Sequence, residues 1–192
     1  MNVTSKKIGV LILAIVITPL LAGLYGIIHD QIIYSLSPEY YTQFKFPEYG
    51  IGPSAPVRQG ITYVGWVSTW WTGLVIGIGL GITGLIHKEN RMLKAVSESI
   101  FLNFVIAFLI GISGLAVGGV FLPHGTGMWN LPDGLQNPKD FIAVEFMHAF
   151  GYVGGLVGLA AGIIYQIRQK RRLQKTDNFH DGRTKMHGRL AA

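Results

Sequence analysis

With 192 residues, 49% hydrophobic content and only 14% charged, the chain is too apolar and too segmented into blocks for an ordinary soluble domain, and it belongs in lipid. It has no cysteine, which excludes disulfides, thiolate metal sites, iron–sulfur clusters, covalently attached c-type haem and cysteine nucleophiles. The net charge of +6 would suit nucleic acid, but the basic residues flank apolar runs, where membrane orientation accounts for them, and no nucleic-acid partner is expected.

The first apolar run, Ile8 to Ile28, follows Lys6 and Lys7 and is long enough to cross ~30 Å of hydrocarbon as a helix. It is too long for the ~7–15 apolar residues of a signal peptide, the rival reading suggested by Ala22-Gly23, and no A-x-A site closes it. Pro19 should kink or loosen this helix, which membranes tolerate. At its outer end stand His29 and Asp30. A carboxylate at a helix C-terminus meets the negative end of the dipole and calls for a cation, with Arg58 the plain candidate and a metal the other.

In the loop that follows, Ser37-Pro38-Glu39 is a helix-start signal: serine as cap, proline at the first position, a carboxylate near the positive dipole end. With Tyr40, Tyr41 and Phe44 it predicts a short interfacial helix acting as an aromatic anchor. The second run, Val64 to Ile86, begins among Tyr63, Trp66, Trp70 and Trp71, an aromatic belt that marks a membrane surface. Gly73, Gly77 and Gly81 form a stripe along it, and His87 at its inner end is placed to meet the helix dipole.

Ile100 to Leu122 is the third run, with Gly111, Gly114 and Gly118; His124 and Trp129 lie in the loop beyond it. The fourth, Phe141 to Ile167, holds Glu145 and His148 in its outer half and a glycine face at Gly151, Gly155, Gly158 and Gly162, with Gly154 interleaved. Glycines four apart let helices approach closely where lipid offers no hydrophobic drive, so a tight bundle is expected; the same stripes would equally serve a homo-oligomer or a larger membrane complex. The hairpins of spans one–two and three–four share Gly-Leu-Val at 73–75 and 155–157, a faint sign of a parallel repeat.

The expected fold is therefore all-α: a polytopic bundle of four transmembrane helices over residues 1–175, followed by a polar, largely disordered tail at 176–192 that includes His180 and His187. The runs lack the period-two alternation of a barrel. Lys6, Lys7, Lys88, Arg91, Lys94 and the basic cluster from Arg168 to Lys175 place both termini in the cytoplasm, whereas the first and third loops are acidic on balance and face outward.

Ionisable residues inside a bilayer are costly, and Glu145 and His148, three apart, share a helix face that points into the bundle. Their E-x-x-H spacing is that of di-iron carboxylate bundles, but those need a second such motif and two further glutamates. A mononuclear site is simpler: His29, Asp30, Glu39, His124, Glu145 and His148 all lie toward the outer face, and imidazole with carboxylate suits zinc, copper or iron. The structural alternative is a hydrogen-bond network locking the bundle, and a haem held between His29 and His148 is a further one. No Gly-x-Ser-x-Gly elbow or phosphate-binding loop is present, so hydrolase and nucleotide-driven transport have no support.

The stretches H-D-Q-I-I-Y-S-L-S-P-E-Y at 29–40 and M-H-A-F-G-Y-V-G-G at 147–155 resemble a group of uncharacterised bacterial four-helix membrane proteins. The second stretch departs from that group, in which a polar residue more often follows the histidine and serine precedes the tyrosine. The resemblance implies a bacterial inner membrane and supplies no activity. Three functional expectations follow: a non-enzymatic protein whose outer polar cluster binds a metal, a small ligand or a partner subunit; a redox or electron-transfer subunit using a metal or haem there; or an oligomeric pore or small transporter.

Overall fold

The computed structural model describes residues 4–121 and 131–190, with side chains through Thr176 apart from that of Phe121. Among the described residues four long helices dominate: α1 (Ser5–Ile33), α2 (Val57–Gly84), α3 (Glu89–Phe121) and α4 (Pro138–Leu190). All four are long and apolar enough to cross a membrane. Their outward faces are rich in exposed Leu, Ile, Val and Phe, including Ile12, Leu20, Phe101, Leu109 and Leu156, a surface suited to acyl chains and unsuited to water. The protein is an all-α, multi-pass membrane bundle.

Glycine organises the packing into two hairpins. Where α1 meets α2, a Cβ on Gly73 would lie 2.6 Å from the Thr18 carbonyl oxygen, and one on Gly77 2.6 Å from that of Ala14. Gly26 and Gly65 sit backbone to backbone, and Gly81 meets Leu11. Where α3 meets α4, Gly114 meets the Phe146 carbonyl, Gly118 Ala143, Gly154 Ala107 and Gly158 the backbone of Asn103. Contacts concentrate within these pairs and are sparser between them. The α1 helix runs unbroken through Pro19.

At the end of the bundle where α1 begins, Lys7 is buried and its Nζ donates to the Leu85 carbonyl at 3.1 Å, placing a cation on the C-terminal end of α2. Lys7 takes the dipole role that the sequence suggests for His87. His87 is itself buried, and its pKa is pushed down first by that burial and then by the positive charges of Lys170 and Lys7. The α4 helix continues to Leu190, well past the expected end of the span. No proline interrupts this stretch, and Gln, Lys and Arg, all good helix formers, begin it.

Candidate functional site

The loop between α1 and α2 positions the site. The Tyr40 backbone N–H donates to Ser37 Oγ at 3.3 Å, the capping bond expected from Ser-Pro-Glu. The turn then widens into a π-helix over Tyr40–Lys45, passes into α-helix at Phe46–Glu48, and closes with Gly50 at φ 67°. Gly50 N–H bonds the Pro47 carbonyl and Ile51 N–H that of Phe46, the paired bonds of a Schellman cap. The π turn directs two consecutive rings, Tyr40 and Tyr41, into the bundle, where they are 1% and 0% exposed. They are therefore not a surface anchor. Together with Ile33, Val64, Phe141 and Val144 they form the core at this end of the bundle.

Beneath the tyrosines, Asp30 and His148 join α1 to α4. His148 Nε2 lies 3.1 Å from Asp30 Oδ1, and His29 Nδ1 lies 3.0 Å from the same oxygen. Asp30 is only 3% exposed. Tyr40 stacks on the His148 ring at 4.9 Å, and the two histidine rings stand edge to face at 5.2 Å. One ligand atom from each of His29, Asp30 and His148 falls within 4.8 Å of the others.

The second nitrogen of His148 fixes the chemistry of the first. Nδ1 lies 2.8 Å from the Val144 carbonyl oxygen, which can only accept, so Nδ1 carries a proton. In a neutral ring Nε2 then presents a lone pair to a carboxylate oxygen. Two bare acceptors 3.1 Å apart repel, so the contact requires a proton, carried by Nε2 or by the carboxyl, or a metal ion between them. The separations of 3.0 and 3.1 Å resemble the edge of a tetrahedral zinc site, about 3.3 Å for ligands ~2.0–2.1 Å from the metal. Both histidines address one carboxylate oxygen, which leaves no slot for a macrocycle between them as they stand.

The remaining candidates go elsewhere. Glu39 accepts the backbone N–H groups of Gln136 at 2.7 Å and Asn137 at 2.9 Å, so it caps the start of α4 from the loop between α1 and α2; those two bonds hold its carboxyl below the usual range. Glu145 Oε2 is buried and has no hydrogen-bond partner among the described residues, nor do the Tyr40 and Tyr41 hydroxyls. The Tyr40 hydroxyl is pushed well above its ordinary pKa by burial and then by the Glu145 charge; that of Tyr41 is also raised, by burial and then by Asp30. Both remain neutral phenols. Arg58 does not reach Asp30: its Nη1 donates to the backbone and side-chain oxygens of Gln31, each at 3.0 Å. His124 lies outside the described residues.

Below the cluster lies a cavity of about 270 Å³ between the hairpins, walled by all four helices. Gly151 and Gly155 border it, and a Cβ at either would meet nothing within 4 Å. Unlike Gly73, Gly77, Gly81, Gly158 and Gly162, which press on neighbouring helices, these two create space. Tyr40, Tyr41 and the cavity are the parts of the site absent from the sequence reading; the Ser37 cap places the tyrosines in a helix but does not say which way they face. No family model, no curated protein and no solved structure matches this chain.

Proposed function

We propose that this chain is an inner-membrane protein of bacterial type, with both termini cytoplasmic, whose outward cluster of His29, Asp30 and His148 holds one divalent transition-metal ion. The observation that carries the reading is the 2.8 Å approach of His148 Nδ1 to the Val144 carbonyl, which leaves Nε2 to face Asp30 Oδ1 at 3.1 Å. Metal-bound histidines commonly donate their other N–H to a backbone carbonyl in this way. Two imidazoles and a carboxylate suit zinc or iron and leave a coordination position open. The buried, neutral phenols of Tyr40 and Tyr41 roof the cluster and limit the access of water.

A second reading has its own support. The Asp30–His148 contact crosses the sparsely packed seam between the hairpins, and with Nε2 protonated it is an ion pair that clamps them together. Elemental analysis of protein purified in mild detergent, before and after loading with zinc(II) or iron(II), separates the two. One equivalent of metal in the wild type, lost in His148→Ala and Asp30→Asn, is the expected result. No retained metal after loading, together with a lowered unfolding temperature in both variants, would leave the clamp. Because the chain lacks cysteine, the orientation can be read from labelling of single introduced cysteines, with a cysteine replacing Ser5 reactive only from the inner side.

A further inference from the structure

The cavity below the cluster has its own ligand chemistry, and it does not depend on whether the cluster holds a metal. Its wall is polar in sequence but apolar in effect, because its polar groups are paired with one another: Tyr152 donates to the Ser68 carbonyl at 3.0 Å, Asn103 Nδ2 to the Gly155 carbonyl at 2.8 Å and Thr69 Oγ1 to the Ala22 carbonyl at 2.9 Å. Among the described residues no lysine or arginine borders it, and the proton or metal ion at His148 is already shared with the Asp30 carboxyl, so a phosphate or carboxylate head would enter without a free counter-charge. Polar ligand-binding groups gather at one end, where His29, Asp30 and His148 stand.

Size and shape narrow the occupant. A dry cavity of ~150 Å³ holds one benzene, so about 270 Å³ accommodates a single substituted ring and excludes a lipid head group with its glycerol. Aromatic faces flank the space: Trp71 stacks with Tyr152 at 6.0 Å on one side, and Tyr25 meets Phe104 edge to face at 6.1 Å on the other. Trp71, Val75, Tyr152 and Leu156 line the cavity and are also exposed on the outside of the bundle, Leu156 by 66%, so the space opens sideways between α2 and α4 toward acyl chains.

We propose that this cavity binds one neutral, lipid-soluble ring compound of the quinone head-group class. The ring lies among Trp71, Tyr152 and Phe104, a ring oxygen reaches the His29–Asp30–His148 end, and an alkyl tail leaves through the side opening into the bilayer.

Gly155 and Gly151 provide the test, since a side chain at either fills the cavity without striking a neighbouring helix at Cβ. Wild-type protein, Gly155→Leu and Gly151→Leu in detergent are titrated with a decyl-substituted benzoquinone, and the rise in unfolding temperature is followed. The expected result is a saturable rise in the wild type that is lost in whichever leucine variants fold as the wild type does. A rise equal in all three would place the quinone in the micelle or on another face, and no rise in the wild type would leave the cavity without this ligand; either overturns the proposal. Failure of both variants to fold would mean that the space is not free and overturns it too. Metal content measured on the same preparations keeps the two readings apart: a variant that retains metal and loses quinone separates the cavity from the cluster.

Discussion

The seams inside the two hairpins and the seam between them are built on opposite principles. Within α1–α2 and α3–α4, glycine brings backbone onto backbone, and the dispersion contact so gained holds each pair. Between the hairpins the bridges are side chains: Asp30 to His148, Tyr152 to the Ser68 carbonyl, and Gln166 to the Leu80 carbonyl at 3.1 Å. A glycine seam has no room for a ligand and no group to bind one. The looser seam has both, and the cluster and the cavity lie on it.

Breaking each seam at its strongest point should give the largest effects. Asp30→Ala removes the partner of two histidines in a site with little access to water, and loss of one member of a buried pair costs about 3–5 kcal/mol. Reversible unfolding in mixed micelles should register that loss, and separation of the hairpins should come first. An undiminished stability would mean that the bridge contributes nothing to holding the hairpins together. Gly77→Leu attacks the other kind of seam by forcing a side chain onto the Ala14 carbonyl, an overpacking penalty of about 1–3 kcal/mol. Here α1 should part from α2 while metal content per folded molecule stays constant.

A single helix carries the next, smaller contrast. Gly158→Ala puts a methyl 2.9 Å from the Asn103 backbone, whereas Gly155→Ala, one turn earlier on α4, puts it in open space. The first should destabilise by about 1 kcal/mol or more, and the second should be neutral or stabilising by up to about 1 kcal/mol through its gain in helix propensity. Equal losses at both positions would erase the distinction between packing glycines and cavity glycines.

That distinction also marks where sequence reading stops. The four spans follow from run length, and the small-residue stripes from a spacing of four, both local properties of the chain. Gly155 and Gly158 look the same in that pattern; they differ in the register of α4 against α3, which is a tertiary property. His148 is conspicuous as an ionisable residue within a span, and His29 and Asp30 as neighbours at the same membrane face. The convergence of the two histidines on a single carboxylate oxygen is settled only by how α1 and α4 rotate in the bundle. Tyr40 and Tyr41 resemble surface anchors because a loop aromatic in a membrane protein usually is one, and the π turn that turns both inward leaves no mark in composition. Glu39 resembles a ligand because its actual partners, two backbone N–H groups, lie 97 and 98 residues away.

Glu39 gives the smallest expected effect and concerns the same seam, since it straps the loop between α1 and α2 to the start of α4. Its bonds to Gln136 and Asn137 are made by the ionised carboxylate, which lowers its folded-state pKa below the unfolded value. A group shifted in that direction adds stability that is fully present above the unfolded pKa and is lost as pH falls through the folded one. Glu39→Gln keeps one acceptor oxygen but loses the charge, so the variant should unfold at a slightly lower temperature than the wild type at neutral pH. The gap should narrow as pH falls below the unfolded carboxyl's value and through the lowered folded one, where the wild-type carboxyl also becomes neutral. A gap that persists unchanged through that range would mean that the carboxylate charge is not what holds the strap, and that the second acceptor oxygen alone accounts for it.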